Sequence, residues 1–453
     1  MFSKMRAIIH RLGIGKYLTN ISWLLVERVV RVLVALIIDV WIARYLGPEK
    51  FGLLSYAVSF VGLFSAISSL GLNSIVIRDL VKNPEKRNEI LGTAFWLKIT
   101  GALLMIVLLA VALQLTNADA YTKILVFIVA SGVVFQSFNV IDFYFQSLVL
   151  SKYVVWVNSA GLFLSSLIKL YLIYRQAPLI AFAWVIVFDS FILALGYLYV
   201  YIKKVKDFVV RQYVWHKETA ISLLRDGWPL ILTTVFISIY SQLDQVMIKN
   251  MINDFEVGQY SAAAKLNSFL AFLPSVVLIS LTPAIVNAKK KSMKLFYERL
   301  QLLYDLVATY GIFIAVFILL FAGIIIHYTY GEAYDKSAGI FRIIVFSNLF
   351  SFLGAASTRW FINMGYERKI LYRNLFGVSV NIISNYIFIG KYGAIGAAYT
   401  TLLSQISANL LYDLLDKDAR VIFFQKLKSI FFISQIRQVK QVLKNKIPDI
   451  DNE

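Results

Sequence analysis

Cysteine is absent from this 453-residue chain, which excludes a disulfide framework, a thiolate metal site and a catalytic thiol. Histidine is nearly so: His10, His216 and His327 stand far apart, so no multi-histidine metal site is expected. No GxxxxGK[ST] phosphate-binding loop occurs. Long polar connections are missing as well, leaving no material for a separate soluble or external catalytic domain. Acidic residues are scarce, with 26 Asp and Glu against 45 Lys and Arg and a formal charge of +19.

What fills the chain is apolar sequence. Hydrophobic residues make up 59% and the mean hydropathy is +0.71, too high for a soluble globular domain. Twelve runs, near 20–44, 54–77, 90–114, 123–149, 153–174, 179–202, 221–248, 257–287, 302–327, 338–365, 371–389 and 393–415, are each about 20 residues or longer, enough to cross a hydrocarbon core as a helix. They are continuous rather than alternating, which argues against a β-barrel. The expected class is therefore an all-α integral membrane protein of about twelve transmembrane helices.

Lys and Arg concentrate in alternate connections, as in Lys203, Lys204 and Lys206 or Lys289, Lys290 and Lys291. By the positive-inside rule both termini are cytoplasmic. The same distribution accounts for the positive charge without a nucleic-acid partner, because the cations sit beside anionic lipid. Residues 1–19 carry Lys4, Arg6, Arg11 and Lys16 and imitate the start of a signal peptide. The run that follows is too long, contains Glu27, Arg28 and Arg31, and lacks a small-residue cleavage site, so it is expected to be a retained span. In the tail, Ile422, Phe423, Phe424, Leu427 and Phe431 alternate with Lys426 and Lys428, the pattern of a helix lying on the inner membrane surface.

The halves of the chain repeat. Trp23 and Asp39 have the same spacing as Trp228 and Asp244. Gly52, Ser55 and Ala57 match Gly258, Ser261 and Ala263. Phe145, Asn158, Gly161 and Ala181 match Phe361, Asn374, Gly377 and Ala397. Six spans per half place both halves in the same orientation, with a transport pathway expected between them. The expected organisation is a cytoplasmic segment 1–19, a six-helix lobe 20–202, a linker 203–220, a second six-helix lobe 221–415 and a basic tail 416–453.

Cations inside the spans are the candidate binding groups: Arg28, Arg31, Lys98, Lys169 and Lys265 lie deep, while Arg225, Arg342 and Arg359 are near span ends and can snorkel to the interface. A charge at a helix centre costs about 2.5–3.5 kcal/mol, so five facing lipid would cost on the order of 12–17 kcal/mol. They must meet water, counter-ions or a ligand. Structural pairing with Glu27, Asp39, Asp142, Asp189, Asp244 and Asp305 is the alternative, and Glu27 with Arg31 has the i,i+4 spacing for it. Asp39 and Asp244, matched in the repeat, suit either a structural or an ion-coupling role. The excess of cations suits an anionic substrate, Arg presenting a planar fork to phosphate oxygens and Lys a point charge. Trp41, Phe143, Tyr144 and Trp360 have the chemistry to stack on sugar faces, although most aromatics in such a chain form interface belts.

Residues 44–80 bear a family pattern. Arg44, Leu46, Gly47, Pro48, Phe51 and Gly52 form an Arg-x-Leu-Gly-Pro-x-x-Phe-Gly turn, followed by Gly71, Leu72 and Arg78; the late segment KYGAIGAAYTTL spans 391–402. These motifs resemble those of the polysaccharide-exporter branch of the multidrug/oligosaccharidyl-lipid/polysaccharide (MOP) superfamily, including O-antigen and capsule repeat-unit flippases. The resemblance extends over nearly the whole chain in span number and spacing. It implies two lobes around a cationic cavity and movement of undecaprenyl-diphosphate-linked oligosaccharide from the cytoplasmic to the outer leaflet of a bacterial inner membrane. It further implies alternating access driven by a proton or sodium gradient, no bound cofactor and no enzymatic activity. Substrate contacts are then expected from Arg28, Arg31, Lys98, Lys265, Lys169 and Arg359, and ion-coupling or structural roles from Glu27, Asp39, Asp142 and Asp244. Polymerase and chain-length proteins of the same pathway are further expected partners. A drug/cation antiporter of the same fold, a peptidoglycan-precursor flippase and a membrane glycan polymerase are the alternatives. The antiporter would use cavity acids, the precursor flippase usually carries two more helices, and the polymerase needs a larger external loop.

Overall fold

The computed structural model describes residues 15–205 and 215–436. Most of the segment 1–19, part of the linker 203–220 and the end of the tail lie outside the described residues, as do the side chains of 15–26. Among the described residues there is no strand. The helices are α1 (Gly15–Ser69), α2 (Leu72–Lys82), α3 (Arg87–Gln114), α4 (Ala120–Phe135), α5 (Val140–Ser147), α6 (Lys152–Tyr174), α7 (Leu179–Lys204) and α8 (Lys217–Met251). They continue with α9 (Asp254–Leu270), α10 (Phe272–Lys291), α11 (Met293–Thr329), α12 (Asp335–Met364), α13 (Glu367–Ile406), α14 (Tyr412–Leu415) and α15 (Arg420–Ile430). Among the described residues, eight helical segments between Pro84 and Met364 are long and apolar enough to cross a membrane. The remaining four expected runs fall on α1 with the start of α2, and on α13 through α14.

Both α1 and α13 are broken where the sequence places a turn. In α1, Gly47 adopts φ 71°, ψ 169°, a conformation with little cost only for glycine. Pro48 follows, its fixed φ suited to the first position of a new helix and its missing N–H no loss there. Gly393 breaks α13 in the same way, at φ 61°, ψ −142°. The expected fourth span is also divided, by a 3-10 turn at Gln136–Asn139 between α4 and α5.

The chain forms two compact units, 1–258 and 259–453. In the first, Leu72, Val76, Leu91, Ala94, Phe145 and Tyr201 form a buried core. The sequence assigns α8 to the second lobe, yet it packs on the first unit. Ser59 donates to Gln245 Oε1 at 2.8 Å, and Ser65 and Ser238 hydroxyls lie 3.3 Å apart. Nearer the start of α8, Arg78 Nη2 donates to Asp226 at 2.5 Å. Hydrogen bonds to Asp79 and Asp226 raise the Arg78 pKa above its already high ordinary value. Both partners are partly exposed, so Arg78→Ala should cost no more than about 1 kcal/mol of stability; thermal unfolding in detergent will measure this.

At the other end of α8, the repeat-matched glycines Gly52 and Gly258 meet. A Cβ on Gly52 would strike the Asp254 carbonyl oxygen, and one on Gly258 the Pro48 carbonyl oxygen.

The second unit packs Phe296, Leu300, Tyr304, Leu353, Phe361 and Ile422 into its core. Ile422 belongs to the tail helix α15, whose inner face also buries Lys426 and Ser429 while Val421 and Phe424 stay exposed. Lys426 donates to the buried Asp413 and, at 2.6 Å, to the Asn409 carbonyl. A π-helical turn at Ser407–Leu411 joins α13 to α14 and carries Asn409.

Candidate functional site

The first unit gathers several of the residues singled out in the sequence. Glu27, buried on α1, pairs with Arg31 at 2.6 Å, as their one-turn spacing allows. Asp142, on α5, accepts a hydrogen bond from Gln146 at 2.9 Å and interacts electrostatically with Arg31, Lys98 and Glu27. Tyr197 donates to Asn158 at 2.8 Å within the fields of Asp142, Arg31 and Glu27. Helices α1, α3 and α5 therefore bring opposite charges near one another, with the neutral Tyr197 of α7 beside them; Arg31 itself stays exposed.

Lys98 stands out among these charges. It is only 5% exposed, and its ammonium lies 5.0 Å from the Phe143 ring centroid, a cation–π contact rather than an ion pair. Among the described residues no carboxylate lies within 4.0 Å of it. Beside it is a polar cavity of about 200 Å³ bordered by Ser65, Ser68 and Ser137. Gly101 makes this proximity possible: a Cβ there would lie 2.9 Å from the Ile67 carbonyl and 3.2 Å from that of Ser68. With no side chain to intervene, α3 rests on the serine-bearing turn of α1, one turn from Lys98.

Other candidates have different surroundings. Arg28 is exposed on α1. Lys169 is tied to Asp189 at 3.0 Å, the structural alternative considered for it. Asp39 is half-buried and Asp244 is buried. In the second unit, Lys265 is half-buried. Arg359 is held by neutral acceptors, donating to Thr282 Oγ1 at 3.2 Å and the Ala355 carbonyl at 2.6 Å.

Two buried cations escaped the sequence reading. Arg373 is 5% exposed, donates to the Gly354 carbonyl at 3.1 Å and to Thr358 at 3.2 Å, and leaves Nε without a partner. It follows Arg368 and Lys369 closely, which makes it look like one more membrane-edge cation. Lys426 lies in the tail, where a lysine is ordinarily solvated.

A family model described as "Polysaccharide biosynthesis protein" matches residues 17–289, more than half of the chain. The chain belongs to that family. A second model, MatE, matches residues 229–387 of this family member. An uncharacterized membrane protein of Methanocaldococcus jannaschii is 25% identical over 393 residues, covering 82% of this chain and 90% of its own. Among solved structures, an inward-facing multidrug resistance MATE family transporter of the MOP superfamily aligns with a TM-score of 0.70 at 17% identity, covering 92% of this chain and 99% of that one. The lipid II flippase MurJ in an inward closed conformation aligns with a TM-score of 0.70 at 15% identity, covering 94% and 93%. At such identities the structural likeness establishes the fold, an all-α membrane transporter fold. Together with the family match it makes this chain a multi-pass membrane protein of the MOP superfamily, a flippase or transporter resembling the polysaccharide exporters.

Proposed function

We propose that the protein flips undecaprenyl-diphosphate-linked oligosaccharide repeat units, for O-antigen, capsule or exopolysaccharide, from the cytoplasmic to the outer leaflet of the bacterial inner membrane. The observation that carries this reading is Lys98, a buried cation facing a polar cavity with no carboxylate in pairing distance among the described residues. A charge kept in that state is costly, and an anionic ligand offsets the cost. Arg28, Arg31, Lys98 and Lys265 receive the charged groups of the substrate, the diphosphate and any acidic sugar alike, with Arg359 assisting. Lys169 serves mainly to hold α6 against α7 through Asp189. The protein acts as a transporter rather than an enzyme and needs no bound cofactor. A proton or sodium gradient drives alternating access, with Glu27, Asp142, Asp39 and Asp244 as the acids available for coupling. Polymerase and chain-length proteins of the same pathway take the product.

Deletion of the gene tests this. Complete lipid-linked repeat units should accumulate facing the cytoplasm; single units accumulating on the outer face would point to a polymerase instead. Lys98→Ala and Lys265→Ala should each cut surface glycan by about tenfold or more, the worth of a lost charge-assisted hydrogen bond, with membrane protein levels unchanged on immunoblots. Full surface glycan in both would defeat the assignment.

The MatE match over 229–387 favours a drug/cation antiporter as second reading. In that case deletion would sensitise cells to cationic compounds and leave surface glycan intact.

A further inference from the structure

We infer that the cavity beside Lys98 is a subsite for a single sugar ring bearing a negatively charged substituent, such as a uronic acid. This deepens the flippase reading and rests on it. The lining comes from several separate parts of the first unit, among them Ser65, Ser68 and Ser69 on α1, Lys98 on α3, Ser137 on the 3-10 turn and Thr234 on α8. At about 200 Å³, it has room for one ring and not for a chain of sugars.

Hydrogen-bond polarity decides what that ring must offer. Ser65 donates to the Gly62 carbonyl at 2.7 Å, Ser68 to the Ser65 carbonyl at 2.8 Å, Ser69 to the Ala66 carbonyl at 3.1 Å and Thr234 to the Leu230 carbonyl at 2.8 Å. Each has spent its proton on its own helix and faces a ligand only as an acceptor. A diphosphate, which offers acceptors alone, would meet four oxygens with nothing to give it. Sugar hydroxyls donate and accept, and they match this wall. Ser137 is 1% exposed and its Oγ has no hydrogen-bond partner. A buried hydroxyl left in that condition costs free energy that a bound ligand recovers. Asn73 and Gln136 add exposed amide groups to the lining.

The remaining feature is charge. Lys98 supplies one positive charge and three donors, with the Phe143 ring against its ammonium and Asp142 acting on it only at longer range. One carboxylate or similar monoanion satisfies it; a neutral ring leaves it unpaired. The cavity thus distinguishes glycans by the charge of one residue, while the diphosphate falls to the arginines of α1, where a planar fork fits phosphate oxygens.

The test uses the full-length protein in lipid nanodiscs and in proteoliposomes. The probes are two polyprenyl-diphosphate disaccharides identical except for the terminal sugar, glucuronic acid in one and glucose in the other. Wild-type protein should bind the glucuronate probe about tenfold more tightly, the value of a charge-assisted hydrogen bond in a buried setting. Lys98→Gln should erase that preference, Lys98→Arg should keep most of it, and Ser137→Ala should weaken both probes alike. Equal binding of the two probes by wild type overturns the subsite, as does a preference that survives Lys98→Gln. Transport is scored separately. Selective binding with no translocation of either probe would sink the flippase reading and leave the subsite standing; equal, efficient translocation with unselective binding would do the reverse.

Discussion

Lys426→Met is expected to lower the unfolding free energy by about 3–5 kcal/mol, the cost of stranding one member of a buried ion pair. Lys426 and Asp413 are both fully buried, and the lysine also donates to the Asn409 carbonyl. Methionine fills much of the same volume, so the loss comes from charge and hydrogen bonding rather than from a cavity. Asp413, already with one oxygen lacking a partner, would keep only the longer-range attraction of Arg373. The double variant Lys426→Met with Asp413→Leu should recover part of the stability, because removing both charges also removes the desolvation they cost, although Arg373 then loses the attraction of Asp413. Thermal and denaturant unfolding in detergent will show whether the double variant is closer to wild type than either single one. A Lys426→Met protein as stable as wild type would mean that the tail helix is not anchored by this pair.

The second large effect is expected at the glycine crossing. Gly52→Ala and Gly258→Ala each push a methyl group into a backbone carbonyl, of Asp254 and Pro48 respectively. Backbone does not swing aside as a side chain does, so each should cost about 1–3 kcal/mol, in the usual range for overpacking. Because the two sites share one contact, the pair of substitutions should not be additive. Gly339→Ala is the control: the nearest atom to a Cβ there is the tip of Ile395 at 3.9 Å. With space available, alanine's helix propensity should leave it neutral or up to about 1 kcal/mol more stable. If all three alanines behave alike, close backbone approach is not what those glycines provide.

The parts of the fold legible in the sequence were those governed by local rules. Apolar run length gave the helices, and Gly47 with Pro48 marked the first break before any tertiary contact was known. The matching of Gly52 with Gly258 acquired a physical meaning only in three dimensions, where the two lie against each other's helices. Glu27 with Arg31 was foreseeable from spacing on one helix; Lys169 with Asp189, on different helices, was an unordered possibility among several acids. The cavity was illegible. Its serines are ordinary helix residues in sequence, and only the close approach of α3 at Gly101 and the 3-10 turn at Gln136–Asn139 make them neighbours of Lys98. Lys426 was misleading because composition describes a tail's surroundings poorly: one face of α15 is apolar enough to join a core, and a lysine carried on that face goes in with it.

The π-helical turn at Ser407–Leu411 gives this chain a place to lose a residue at little cost. It holds one residue more than an α-helical turn would. Deleting Leu410 there would let regular winding resume with the helix beyond it in nearly the same phase, so Asp413 would still face Lys426. A one-residue deletion inside α11, which holds no surplus residue, would instead rotate everything beyond it by about 100° around the axis. One-residue deletions should therefore be tolerated better in this turn than in the regular helices around it.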